Sequence, residues 1–186
     1  MPSVAALVLA SQSPRRRELL TAAGFVFSVR ARPVEEVRAA GEAPEAYVRR
    51  LAAAKAEAAW EGADEVVLGA DTVVVLEEAV LEKPADPEDA RRMLRLLSGR
   101  EHTVITGICL RHAGGRVLDH VATTVRFLPL SEAEIESYVR SGEPMDKAGA
   151  YAIQGLASKF VERIEGCFFN VVGLPVSRLY RMLEAL

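Results

Sequence analysis

The hydrophobic pattern of the chain switches repeatedly between unbroken apolar runs and helical spacing. Leu7-Val8-Leu9 reads as a short buried strand. Ser13-Pro14 follows as an N-cap with proline at the first helical position, and that helix runs to about Ala23, where Gly24 stops it. Phe25 to Val29 predicts a second short strand. Arg30 to Ala43 is polar, is broken by Pro33 and Gly41, and reads as a loop. Pro44 to Trp60 is a helix whose Val48, Leu51, Ala52 and Ala59 share one stripe with Lys55. Glu65 to Leu76 is β-branched and almost wholly apolar, as expected of a central strand covered on both faces.

The second half continues the alternation. Glu77-Glu78 predicts a turn and Val80 to Glu82 a returning strand. Asp86-Pro87-Glu88-Asp89 starts a helix with an acidic cap and acids in its first turn, and Ser98-Gly99 ends it. Arg100 to Arg111 and Arg116 to Leu128, joined by Ala113-Gly114-Gly115, predict a hairpin. Ser131 to Glu134 is a capping box for a helix that ends near Ser141-Gly142. Gly142 to Gly155 reads as a loop feeding a strand at a site, Lys159 to Ile164 as a further strand, and Gly166 to Pro175 as a glycine-punctuated loop before a last helix. Strands alternating with helices, plus one long hairpin, predict an α/β fold: a mixed twisted sheet with flanking helices. If the hairpin projects as a second lobe, a cleft lies beside it. No repeat or linker divides residues 1–186, so a single domain of two lobes is expected.

Composition narrows the function classes. The chain has 186 residues, half of them hydrophobic, and a formal net charge of -3. No global basic field draws it to nucleic acid, so any anion binding is local. Cys109 and Cys167 lack the paired spacing of a zinc site, and the three histidines show no ligand or triad spacing. No apolar run approaches transmembrane length, and no basic segment precedes the first apolar residues. The expectation is a cytoplasmic protein, mature as written, with no membrane partner.

Candidate chemistry gathers at a few interruptions of the pattern. Arg15, Arg16 and Arg17 stand in a helical first turn, where the dipole disfavours cations unless an anion binds at the same spot. Backbone amides, the hydroxyls of Ser11 and Ser13, and guanidinium forks together suit a phosphate. The bland reading is a solvated basic turn. Asp71 interrupts the central strand, and a buried carboxylate must be paired, bound to metal, or placed at a cleft. Gly69 and Ala70 before it are small enough to let a ligand approach the backbone. Lys55 either extends past the core edge or enters a site. Glu35 and Glu36 are a surface pair unless their loop borders the phosphate site.

Seven stretches, taken together, resemble the Maf family, also called septum-formation-inhibitor-like proteins. They are Leu9-Ala10-Ser11-Gln12-Ser13-Pro14-Arg15-Arg16, Gly69-Ala70-Asp71-Thr72-Val73-Val74, Glu82-Lys83-Pro84, Leu97-Ser98-Gly99 with His102 and Thr106-Gly107, Gly142-Glu143-Pro144 with Asp146 to Gly149, Tyr151 with Ile153-Gln154-Gly155, and Asn170 to Pro175. They occur in the family's order across essentially the whole chain. The resemblance implies a nucleoside triphosphate pyrophosphatase that cleaves between the α- and β-phosphates with a divalent metal, Mg2+ or Mn2+. It implies the fold of the house-cleaning inosine triphosphatases, with two lobes around a deep cleft, and a homodimer. Removal of non-standard nucleotides before polymerases use them is the purpose it suggests.

Residue by residue, Asp71 matches the family's catalytic aspartate, described as the proton acceptor. Three positions tied to base choice fall on Arg15, Thr72 and Gln154, and all three side with the dTTP and UTP branch. The branch resembling methylated-GTP pyrophosphatases differs at each. Glu77-Glu78-Ala79 departs from the family, which often has glycine in that turn. Ser11, Ser13, Arg15 and Arg16 are the expected triphosphate contacts, with Lys55, Lys83 and Lys147 as further cations. Asp71 either deprotonates water or holds the metal, and Glu36, Glu35 or Asp146 would supply further oxygen ligands. Gln154 donates and accepts at once, which suits a pyrimidine edge. Modified pyrimidine triphosphates are a further substrate class. The rivals are a non-catalytic nucleotide-binding regulator of division, a pyrophosphatase for a modified purine triphosphate, and a weak nucleic-acid reading through Arg15 to Arg17.

Overall fold

The computed structural model describes residues 6–186. The reading of the extreme N-terminus as free of a targeting segment falls on residues 1–5, outside the described residues. In chain order the elements are β1 (Ala6–Leu9), α1 (Pro14–Ala22), β2 (Phe27–Val29), α2 (Pro44–Ala59), β3 (Glu65–Leu76), β4 (Ala79–Leu81), α3 (Pro87–Leu97), β5 (Glu101–His112), β6 (Gly115–Phe127), α4 (Glu132–Arg140), β7 (Val161–Glu165), α5 (Phe168–Val172) and α6 (Val176–Glu184). The predicted α/β order holds, and among the described residues no helix is long and apolar enough to cross a membrane. Backbone contacts divide the chain into two units: Met1–Asp71 with Thr106–Val121 and Gly173–Leu186, and Thr72–Ile105 with Ala122–Val172.

In the first unit the strands run in the order β2-β1-β3-β5-β6. β1 pairs in parallel with both neighbours, Val8 opposite Ser28 on one side and Val67 on the other. Side chains alternate across a strand, so each strand feeds two cores. Leu9, Val66, Leu68, Ala70, Ile108 and Leu110 pack with Leu20 of α1 and with Leu179 and Met182 of α6. Val8, Ala10, Val67 and Cys109 pack on the opposite face against Ala52, Ala53, Ala56 and Ala59 of α2. The predicted double burial of the central strand is what this unit shows.

Alanines alone do not explain how close α2 comes. A Cβ on Gly69 would lie 2.0 Å from the Ala52 carbonyl oxygen, and one on Gly107 would lie 2.4 Å from that of Val48. Helix backbone therefore rests directly on two strands. This corrects the expectation that Gly69 is small to admit a ligand: the space is filled by α2. Gly69 and Asp71, two residues apart, share a strand face. The contact that presses α2 onto Gly69 also brings Lys55, one turn beyond Ala52, to Asp71.

In the second unit the order is β4-β3-β5-β6-β7. β4 returns antiparallel on β3, with Val75 opposite Val80. The turn holds Glu77 at a φ of 55°, a left-handed conformation that glycine adopts more readily. β7 pairs antiparallel with β6, Val125 opposite Ile164. α3 begins where Asp86 accepts a bond from the Asp89 amide, and α4 begins with the predicted Ser131–Glu134 capping box. The two helices are joined by ion pairs from Arg91 to Glu136 and from Arg95 to Glu132.

Two predicted elements differ. The expected strand after Gly142 is absent, and short 3-10 turns occupy Glu143–Asp146, Ala148–Ala150 and Leu156–Phe160. Gly142, Gly149 and Ala150 all take positive φ, and these bends prevent an extended run. The apolar character of Ala150 to Ile153 instead reflects burial. Likewise Gly166 to Pro175 is not all loop: Phe168–Val172 is a short helix, anchored by Asn170 Nδ2, which donates to the Val104 carbonyl and to Thr123 Oγ1.

Candidate active site

Within the first unit the structure gathers Ser11, Ser13, Arg16, Glu36, Lys55 and Asp71. Asp71 is 8% exposed. Lys55 Nζ donates to Asp71 Oδ1 at 2.7 Å and pairs with Glu36 Oε1 at 2.8 Å. One ammonium thus holds two carboxylates, one buried and one half-exposed. Burial pushes the Asp71 pKa above the ordinary aspartate value, opposed first by Lys55 and then by Arg16, while Glu36 adds to the rise. The carboxylate is poised as a stronger base than a surface aspartate.

The start of α1 is built as expected in position and differently in detail. Ser13 sits at the N-cap with extended backbone, but its side chain makes no capping bond. Ser11 Oγ accepts instead, from the Ser13 amide at 3.2 Å and from Arg16 at 3.0 Å. Arg16 Nε donates to the Gly173 carbonyl at 2.9 Å, so this buried guanidinium ties the turn to the segment before α6. Burial lowers its pKa, with Asp71 opposing. Arg15 is half-buried beside it, and Arg17 is exposed. Pro14 at the first helical position supplies no amide, and the turn that follows lies at the positive end of the helix dipole.

The loop carrying Glu36 is held by α2. Tyr47 Oη donates to the Glu36 carbonyl at 3.0 Å, and Arg50 donates to the Val37 carbonyl at 2.9 Å. Arg50 also binds both oxygens of Glu42, at 2.7 and 2.8 Å, and its guanidinium lies 5.4 Å from the Tyr47 ring centre. Sequence reasoning missed Tyr47 and Arg50. They stand beyond an irregular loop from Glu36, and no periodicity links a loop carbonyl to a helix side chain. Glu35, the other half of the acidic pair, is exposed.

The remaining predicted residues belong to the second unit. Thr72 follows Asp71 directly and is half-buried; Lys83 and Gln154 are exposed. Lys147 Nζ donates to the Glu143 carbonyl at 3.0 Å and pairs with Asp146. Glu143 is itself held by Tyr138 Oη at 2.8 Å and by the Leu156 amide at 3.1 Å. His102, left as a strand residue by its spacing, is buried: Tyr151 Oη lies 2.8 Å from Nε2, and Phe127 meets the ring edge-on.

Residues 6–186 match the family model described as Maf-like protein. The chain belongs to the Maf family. Among relatives it is similar to, a Vibrio cholerae dTTP/UTP pyrophosphatase is 52% identical over 98% of both chains. A Koribacter versatilis protein of the same name is 52% identical over 96% of this chain and 93% of its own, and an Anaeromyxobacter one is 55% identical over 96% and 88%. The structure of the Staphylococcus aureus Ham1 protein superposes with a TM-score of 0.54 at 14% identity, over 97% of this chain and 98% of that one. This Maf chain therefore shares its fold with Ham1.

Proposed function

We propose that the chain is a nucleoside triphosphate pyrophosphatase that hydrolyses dTTP and UTP to the monophosphate and pyrophosphate. The observation that carries the chemistry is the buried Asp71 carboxylate, raised in basicity and held by an ammonium that also holds Glu36. Relatives about half identical over nearly their whole length, named dTTP/UTP pyrophosphatases, supply the substrate class.

In this reading Asp71 takes the proton of the water that attacks the α-phosphorus. Lys55 fixes the orientation of the carboxylate and favours its ionised form against the cost of burial. Ser13 and Arg15 hold phosphate oxygens at the positive end of α1, and Arg16 with Ser11 fixes the turn they stand on. Attack at phosphorus is mainly a matter of positioning and charge neutralisation, and these groups supply both. Thr72, Lys83, Lys147 and Gln154 are the proposed substrate contacts of the second unit, with Arg15, Thr72 and Gln154 selecting the pyrimidine.

A divalent cation fits the donor set. Among the described residues no group of three His, Cys, Asp or Glu side chains could hold a metal. Mg2+, however, is commonly bound by one or two carboxylates with substrate phosphates completing its shell. Asp71 and Glu36, converging on one ammonium, are the residues that would hold it. When bound, it would polarise phosphate oxygens and lower the pKa of water.

Pyrophosphate release from a panel of nucleoside triphosphates, with Mg2+ or Mn2+ and with chelator, tests the reading. The expected result is metal-dependent release led by dTTP and UTP. Release led by a purine triphosphate would keep the reaction and reject the roles of Arg15, Thr72 and Gln154. No release from folded protein would leave the nucleotide-binding regulator.

A further inference from the structure

We infer that Tyr47 and Arg50 are positioning residues that set the affinity for the divalent cation by fixing the backbone on which Glu36 stands; the inference rests on Glu36 and Asp71 as the metal carboxylates. Glu36 lies in a polar stretch without regular structure between β2 and α2, and its side chain is 49% exposed. Nothing in its own sequence context would hold it opposite Asp71. Three side chains of α2 do so at separate points. Tyr47 Oη binds the Glu36 carbonyl, Arg50 binds the carbonyl of the next residue, and Lys55 binds the carboxylate. The same helix lies against Gly69, two residues before Asp71, so one rigid element sets both carboxylates.

The anchor is built for rigidity. Tyr47 is 1% exposed and its ring belongs to the core, so its hydroxyl cannot follow a wandering loop. Arg50 closes a second loop segment at the same place. It binds Glu42, whose Oε2 accepts from the Ala39 amide at 3.0 Å and whose carbonyl accepts from Arg38 Nε at 2.9 Å. Arg50 holds the Glu42 carboxyl at about 2, well below the usual carboxylate range. That carboxylate therefore stays charged across the working pH, and the brace persists. A loop held this way presents Glu36 with its ordering cost already met by folding.

The test measures Mn2+ binding directly, by the electron paramagnetic resonance signal of free Mn2+, with a non-hydrolysable α,β-imido analogue of dUTP present. Tyr47→Phe keeps the buried ring and loses the bond to Glu36; Arg50→Ala removes an exposed side chain, so neither endangers the fold. Tyr47→Phe is expected to weaken Mn2+ binding about three- to tenfold, the range that loss of one net hydrogen bond supports, and Arg50→Ala, which loses the bonds to Val37 and Glu42, at least as much, with kcat at saturating metal within about twofold in both. In a Glu36→Gln background Tyr47→Phe is expected to change nothing further, which a merely structural role would not produce. Unchanged Mn2+ affinity in both variants, or an equal loss in the Glu36→Gln background, overturns the inference. Wild-type protein that binds no Mn2+ overturns the metal reading beneath it instead.

Discussion

Lys55→Met removes one positive charge from between two carboxylates, and the structure says where the cost falls. At 2.7 Å from Asp71, the ammonium attracts the carboxylate by about 6 kcal/mol at an effective dielectric constant of about 20. Solvation and Arg16 replace part of this, and opposite-charge neighbours typically move a carboxylate by about 1 to 3 pH units, or about 1.4 to 4 kcal/mol. Glu36 is half-exposed and rehydrates; Asp71 is buried and cannot. Asp71 already titrates above its ordinary value in the folded protein, so its ionisation costs stability as pH rises from the unfolded value to the folded one. The variant raises the folded value further and widens that window. The acidic limb of the kcat profile for dTTP should therefore move up by about 1 to 3 pH units. The stability gap to wild type, from urea unfolding, should be small near pH 4, grow toward neutrality, and level off above the variant's new pKa. An acidic limb that stays in place, or a stability gap independent of pH, would refute the assignment of Lys55 as the group that keeps Asp71 ionised.

Asp71→Asn should lower kcat about 10²- to 10⁴-fold, as expected for loss of a general base, and leave the melting temperature unchanged or higher, because a neutral amide is easier to bury than the carboxylate. Activity within tenfold of wild type would take Asp71 out of the mechanism. Gly69→Ala should destabilise the protein by about 3 kcal/mol and reduce activity, because the new Cβ meets helix backbone at 2.0 Å rather than a movable side chain; an unaltered unfolding midpoint would contradict the packing described. Burial holds His102 down to about 4, so the unfolded chain takes up its proton first as pH falls. Stability should then be full above about pH 6.5 and decline by about 3 kcal/mol by pH 4. His102→Gln should remove that slope, and a wild-type slope in the variant would assign it elsewhere.

Local patterns placed most elements, because proline, glycine and capping residues act through the backbone within a few residues of themselves. The helix starts at Pro14, Pro44, Pro87 and Ser131 and the Glu77 turn fall where the sequence puts them. The missing strand after Gly142 shows the limit. Its apolar run is a record of burial, and burial alone does not distinguish extended chain from 3-10 turns bent at Gly142, Gly149 and Ala150. The short helix at Phe168–Val172 escaped for the same reason, since it is anchored through Asn170 to distant Val104 and Thr123.

What the sequence determined by itself was the alternating α/β architecture and the residue types proposed to carry chemistry: a carboxylate inside an apolar strand, and cations where a helix begins. A charge in the wrong place is conspicuous in one dimension. Which of those groups meet was decided by tertiary structure. Lys55 reaches Asp71 because α2 lies on Gly69, and Glu36 reaches Lys55 because Tyr47 and Arg50 hold its loop. Arg16 turned inward to Ser11 and Gly173 rather than standing on an open first turn. Apart from Arg16 to Ser11, these contacts join residues 11 to 157 positions apart, and only packed helices and strands set a distance across such separations.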